Sequence, residues 1–148
     1  MSGLMIGDIA VQRIIEEEVP FFVPHETFVE ATPEALAPHR YWLEPNAMDP
    51  ETGMLILPFQ SYLVRTKHHT ILIDTCIGCG KSITHRPQWF QRTDQTWLNN
   101  LRAAGLQPEA IDYVFCTHLH ADHCGWNTIF MDGRWVPTFP NAKYIISK

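Results

Sequence analysis

Thr117-His118-Leu119-His120-Ala121-Asp122-His123-Cys124-Gly125 places three histidines and one aspartate within six residues. The apolar run Ile111-Asp112-Tyr113-Val114-Phe115-Cys116 comes immediately before it and reads as a short buried strand. A strand that delivers imidazoles and a carboxylate at its end is a rigid support for metal ligands. Neutral imidazole nitrogen and carboxylate oxygen suit zinc and related divalent ions. His118 and His120 are two apart, so in an extended segment they point the same way and can hold one ion from one side. Asp122 and His123 are adjacent, so both face a second ion only if the chain turns there. Gly125, just beyond, is expected to serve that turn by taking backbone angles closed to other residues. Two ions on one loop fit a two-metal arrangement, with ions about 3.5–4 Å apart clamping the reacting group. The bland alternative is a histidine-rich metal tract without catalysis. It is the weaker reading, because four ligand-type side chains directly follow a strand.

The motif His118-x-His120-x-Asp122-His123 resembles the signature of the metallo-β-lactamase fold superfamily. Leu72-Ile73-Asp74-Thr75 is similar to that family's strand-end aspartate segment. The run from His123 through Trp126-Asn127, and then Asp132-Gly133-Arg134 to Tyr144, resembles the branch of quorum-quenching lactonases and methyl-parathion-hydrolase-like enzymes. The resemblance implies an α/β fold (α+β in some schemes), an αββα sandwich of two similar halves, with metal ligands drawn from both. It implies His118, His120, Asp122 and His123 as metal ligands, Asp122 as the candidate catalytic group, and Asp74 as a support behind the metal loop. Two divalent ions are implied as cofactors, zinc first, with manganese, iron or cobalt accepted by the same ligands. Downstream of Gly125 the chain has no histidine, and its one aspartate there, Asp132, sits in a turn. The further ligands the family uses are therefore missing, and the chain is expected to be an N-terminal half: a truncated product, a piece of a longer protein or one partner of a split pair. Half a sandwich leaves an apolar sheet face uncovered, which predicts a homodimer or a missing C-terminal half as partner.

Composition narrows the classes. The chain has 148 residues, 45% hydrophobic and 18% charged, which is a globular balance with room for one domain. A net charge of −5 leaves no basic patch of the kind nucleic-acid binding needs. The first eight residues lack a basic region followed by a long apolar run. No stretch approaches the roughly 18 apolar residues of a membrane span. A cytoplasmic protein acting on a small molecule is expected, with neither nucleic acid nor membrane as partner. Cys76-Ile77-Gly78-Cys79 has the C-x-x-C form of zinc or redox sites. There is no second pair of like spacing, and Gly78, Gly80 and Lys81 suggest a loop, so all four cysteines read as reduced thiols. Cys124, beside a candidate ligand, is assigned to packing rather than to an accessory ligand.

One domain is expected over 1–148, with an N-terminal strand and irregular cover over 1–54 and the sheet, helix and metal-binding loop over 55–148. Alternation predicts a first strand over Ile6–Ile15, ended by a solvated Glu16-Glu17-Glu18 and broken by Pro20 and Pro24. Thr32 can cap a short helix at Pro33–Ala37. Phe21, Phe22, His25, Phe28, Tyr41 and Trp42 are candidates for a pocket wall, with packing as a cover favoured for most. Leu55–Leu57 and Ser61–Thr66 read as strand, and Lys67-His68-His69 as a polar turn with surface histidines. Thr70–Asp74 returns as the second arm of a hairpin. Thr93–Leu106 carries the clearest helix, with Thr93 or Asp94 as cap, Trp97, Leu98, Leu101 and Ala104 as its apolar stripe, and Gly105 as its end. A hairpin around Asp132-Gly133 and a last strand at Ala142–Ser147 follow. The functional expectation is a metal-dependent hydrolase of a lactone or other ester-like substrate. Its alternative is an inactive half-domain that binds metal weakly or serves only in association, and a redox protein using Cys76 and Cys79 ranks last.

Overall fold

The computed structural model describes residues 3–147. Its strands are β1 (Leu4–Ile6), β2 (Ile9–Phe22), β3 (Leu55–Arg65), β4 (Thr70–Ile73), β5 (Tyr113–Cys116), β6 (Thr128–Met131), β7 (Arg134–Pro137) and β8 (Lys143–Ile146). Its α-helices are α1 (Pro24–Thr27), α2 (Pro33–Leu36), α3 (Arg40–Leu43), α4 (Thr96–Ala103) and α5 (Ala121–Cys124). The described residues divide into two compact units, residues 18–58 forming one and residues 3–17 with 59–147 the other. The six-stranded sheet runs β1-β2-β3-β4-β5-β8, and β6-β7 form a separate ribbon.

The β3-β4 hairpin is antiparallel, with Leu63 opposite Leu72. After β4 the chain crosses through α4 and returns as β5, parallel to β4, with Leu72 beside Val114. β8 then adds in parallel on the other side of β5, with Phe115 beside Ile145. This strand–helix–strand unit makes the mixed α/β sheet that the sequence pattern anticipates. In β5 only Val114 and Cys116 turn inward, so the strand is buried on one face rather than on both. Phe115, 39% exposed, forms an open apolar row with Ile71, Ile73, Tyr113 and Ile145.

α4 supplies the centre of the core. Its Trp97, Leu98 and Leu101 are buried at helical spacing. Trp97 stacks on Trp126 at 5.8 Å and meets Phe139 edge-on at 5.9 Å. The Trp97 indole N–H donates to Ser61 Oγ at 3.0 Å, which satisfies two polar groups inside the core. The helix starts later than expected, with Gln95 rather than Thr93 or Asp94 at its N-cap, and Asp94 Oδ1 accepts from Thr96 N and Thr96 Oγ1 just ahead of the first turn. Gly105 follows the helix at φ +81°, a conformation in which a glycine ends a helix cheaply. Asp132 and Gly133, at φ +50° and +79°, close the β6-β7 hairpin with the anticipated D-G turn.

Three expectations for the N-terminal third change. The first strand splits at Gly7, whose φ is +62°, into β1 and β2. β2 does not end at the glutamates but runs through Pro20 to Phe22, because the inward set of Ile14 continues to Glu16 at the same parity. The two segments foreseen around Pro58 are one strand, β3, in which Pro58 lies exposed. In the unit of residues 18–58, Thr32 Oγ1 accepts from Ala35 N at 3.3 Å and caps α2 as predicted. Phe28, Tyr41 and Trp42 do not pack as a cover. They are 58%, 86% and 57% exposed, since one-turn helices provide little apolar surface to receive them. Among the described residues, no helix is long and apolar enough to cross a membrane.

Candidate metal centre

β4 ends at Ile73, and the chain then leaves the sheet through Asp74 and Cys76, both at positive φ, +57° and +49°. Asp74 N still donates to Phe115 O at 2.9 Å, extending the parallel ladder by one bond before the turn. The turn aims the Asp74 carboxylate at the motif. Asp74 Oδ1 accepts from Thr117 N at 2.8 Å, and the Thr117 hydroxyl lies 3.0 and 2.8 Å from the two carboxylate oxygens. Asp74 Oδ2 lies 2.8 Å from His123 Nδ1. A carboxylate only 8% exposed at a strand end requires such partners, because an unpaired buried charge is heavily penalised.

The motif wraps around this carboxylate. Residues 117–120 run as an irregular loop into α5, with His120 in extended geometry at its N-cap. The His118 and His120 rings lie 4.6 Å apart by centroid, on one side of the loop as the spacing predicts. His118 also approaches His123, at 3.9 Å. Three imidazoles therefore converge, and His118 stands nearer the second pair than the two-plus-two division implied. Asp122 Oδ2 lies 3.4 Å from His123 Nε2. His68 and His69 sit exposed in the β3-β4 turn, apart from this cluster, as expected.

The hydrogen-bond pattern favours one tautomer of His123. A carboxylate at Nδ1 favours the tautomer with the proton there, which leaves Nε2 as a lone pair. That lone pair faces a second carboxylate oxygen, on Asp122. Two acceptors converging in this way suit a cation that both would ligate, and a carboxylate behind a ligating histidine is the arrangement that orients such rings. Among the described residues, no group of three or more His, Cys, Asp and Glu side chains is set as a complete ligand cluster. The donor types, imidazole nitrogen and carboxylate oxygen, fit divalent ions.

Backbone contacts lock the two loops together. Thr75 N donates to His123 O at 2.8 Å, Gly125 N to Cys76 O at 2.7 Å and Trp126 N to Thr75 O at 2.9 Å. The Thr75 hydroxyl donates to Asn127 Oδ1 at 2.9 Å. Gly125 corrects an expectation. It sits at φ −62° and ψ −48°, ordinary helical values. Its lack of a side chain serves proximity: a Cβ there would lie 1.8 Å from Ile77 O. Gly78, at φ +80°, presses back so closely that its own Cβ would lie 2.6 Å from the Gly125 carbonyl carbon.

Glu16 was not foreseen. It is 3% exposed, and its Oε2 accepts from Ile77 N at 2.7 Å while Oε1 accepts from Gly78 N at 3.2 Å and from the Trp126 indole N–H at 2.8 Å. Burial raises its carboxyl above the ordinary value, opposed chiefly by the Ile77 N–H and the Trp126 indole. The parity shared with Ile14 was the available signal.

The cysteines behave as packing residues. All four are free thiols. Burial pushes the Cys76 thiol well up, with Glu16 adding to it, and burial raises Cys79 to about 11. Cys76 lies 3.4 Å from Ser61 Oγ while Cys79 donates to Asp94 O, so the C-x-x-C pair is engaged with different partners. Thiols held protonated in this way are poor redox nucleophiles. Cys124 donates to His120 O at 3.3 Å, where it helps close α5.

Comparisons with known proteins point the same way. An N-acyl homoserine lactonase of Bacillus cereus is 32% identical over 90 residues, which are 53% of this chain and 35% of that protein. Among solved structures, a hydrolase named AbOPH of the beta lactamase superfamily superposes with a TM-score of 0.62 at 27% identity, over 96% of this chain and 42% of that one. AidC, a dizinc quorum-quenching lactonase, superposes with a TM-score of 0.70 at 21% identity, over 99% of this chain and 44% of that one, and shows the shared fold. The chain thus spans less than half the length of each of these three proteins. The model of the metallo-beta-lactamase superfamily matches residues 58–147, more than half of the chain and the whole stretch from Asp74 to Asn127, and the chain belongs to that superfamily.

Proposed function

We propose that this chain carries the metal-binding loop of a metal-dependent hydrolase acting on a lactone or a similar ester-like substrate. The observation that supports this reading best is the convergence of His118, His120 and His123 beside Asp122, with Asp74 behind His123. His118 and His120 would hold one divalent ion and Asp122 with His123 a second, zinc foremost. When bound, such ions supply Lewis acidity and lower the pKa of water, which is what attack on an unreactive carbonyl needs at neutral pH.

The chain's own residues supply orientation and proton handling. Asp74 holds the Nδ1 proton of His123 and so directs Nε2 outward. Thr117, through its N–H and hydroxyl, fixes Asp74 in turn. Asp122, partly exposed beside His123, is the candidate proton acceptor. His118 and His120 are exposed and reachable by a small molecule from solvent. The lactone is favoured because relatives at about 30% identity are N-acyl homoserine lactonases. A cytoplasmic location belongs to the same proposal.

The test compares wild-type protein with His120→Ala, each dialysed and then reloaded with zinc, on an acyl-homoserine lactone and on a simple aryl ester. Wild type is expected to turn over the lactone faster than a zinc-only blank, and His120→Ala to fall to that blank. Equal turnover by the two proteins would defeat the assignment.

A further inference from the structure

Glu16 is buried on the inner face of β2, and it reaches far along the chain. Its three donors are Ile77 N, Gly78 N and Trp126 Nε1. They belong to the two loops that frame the metal centre. Ile77 and Gly78 end the segment that begins with Asp74, and Trp126 follows the motif by three residues.

The 74–78 segment does not hold its shape by local preference. Asp74 and Cys76 sit at φ +57° and +49°, a region that non-glycine residues hold only where the surroundings impose it. Two sets of contacts impose it. The first is the exchange of backbone hydrogen bonds between Thr75, Cys76 and residues 123–126. The second is Glu16, which grips both loops at once. With three N–H donors on two oxygens, the charged carboxylate suits this role, and a neutral amide would turn an N–H toward one of the donors.

We propose that Glu16 is a positioning residue for the metal centre: by clamping Ile77-Gly78 to Trp126 it holds Asp74 against His123 and so fixes the ring that would share an ion with Asp122. It touches neither ion nor substrate. The inference rests on the hydrolase reading only for its effect on metal; the effect on the His123 ring stands without it.

The test therefore reads the ring first. Long-range 15N–1H spectra of the histidine rings, recorded at pH 8 without metal, report which nitrogen carries the proton. Wild type is expected to show His123 with the proton on Nδ1. Glu16→Gln is expected to shift His123 toward a mixture of tautomers, and Glu16→Ala further. Ile14→Ala, which opens the core two residues away on the same strand, controls for general loosening and is expected to leave the tautomer in place. Trp126→Phe removes one donor and keeps an aromatic ring in the stack, so it decides the matter if the Glu16 variants fail to fold; a partial shift is expected. An unchanged His123 signal in Glu16→Gln, or in Trp126→Phe where the former does not fold, would overturn the proposal, and so would an equal shift in Ile14→Ala. Zinc titration of the same proteins then separates the two readings. A loss of about 10- to 100-fold in the affinity of one ion is expected for Glu16→Gln, the range typical of groups that orient a ligand. Wild type that binds no zinc but keeps the locked tautomer would remove the hydrolase reading and leave Glu16's positioning role standing.

Discussion

Gly125→Ala tests the close contact under the metal loop. The new Cβ would lie 1.8 Å from Ile77 O, 2.1 Å from Ile77 C and 2.7 Å from Cys76 O. Carbon atoms rest at about 3.5–4 Å from their neighbours, so the two loops must part by more than an ångström. Backbone preference opposes the damage only weakly. The helical φ and ψ of Gly125 favour alanine by about 0.5–1 kcal/mol. Parting breaks Gly125 N to Cys76 O and Trp126 N to Thr75 O. Each such loss inside a packed region costs about 1–3 kcal/mol. The balance is a net destabilisation of about 1–5 kcal/mol. Urea unfolding followed by tryptophan fluorescence measures it, since Trp97 and Trp126 are buried against each other. With a slope of about 2 kcal/mol/M, a loss of about 3 kcal/mol lowers the midpoint by about 1.5 M. Gly105→Ala is the contrast, because nothing lies within 4 Å of its Cβ and only its φ of +81° objects. A Gly125→Ala midpoint equal to wild type would refute the contact on which the site's construction rests.

Asp74→Asn leaves the +57° backbone in place, since asparagine tolerates that region, but removes the charge that His123 Nδ1 faces. Zinc affinity is expected to fall about 10- to 100-fold with little change in far-UV circular dichroism, measured by competition with a chelating dye. Cys79, at about 11 rather than 9.0, carries about a hundredfold less thiolate at pH 8 than an ordinary thiol, so its alkylation by iodoacetamide is expected to be slower by that factor, followed by mass spectrometry. Because its folded-state value is the higher one, the folded chain holds this proton more tightly than the unfolded chain. Its contribution to stability is therefore complete below pH 9 and is lost as pH climbs toward 11, which unfolding curves across that range would detect. Leu101→Ala, at a fully buried position on α4, is expected to cost about 2–5 kcal/mol in the same urea assay.

The parts of the molecule that were legible in the sequence are those decided by local chemistry. The apolar stripe of α4, the Thr32 cap, the D-G turn and the β3-β4 hairpin each follow from residues within a few positions of one another. The motif histidines were legible because four ligand-type side chains crowd one short loop. What escaped was decided at long range. Glu16 lies in a run of three glutamates, and composition alone assigns such a run to solvent. Only its parity with Ile14 carried the opposite message, and its partners lie 61, 62 and 110 residues away. Gly125 was read for its φ, the usual local meaning of a glycine, whereas the structure uses it for the approach of Ile77, which no local pattern announces. Pro20 and Pro58 suggested breaks because their missing N–H is a local fact, whereas the strands around them are held by neighbours distant in sequence.

The hydrogen bonds of the site span long stretches of chain. Asp74 reaches Thr117 and His123 across 43 and 49 residues, Thr75 reaches Asn127 across 52, and Glu16 reaches Trp126 across 110. During synthesis at about 5–20 residues per second, the ribosome takes roughly 5–20 s to pass from Glu16 to Trp126. Over that interval Glu16 is an unpartnered carboxylate on a growing strand, and for most of it the histidines do not yet exist. The last of the framing residues leave the ribosome tunnel only after β1 to β5, with β8 of the same sheet still to follow. An ion taken up by this loop would therefore meet strands β1 to β5 already made, and would come too late to help assemble them.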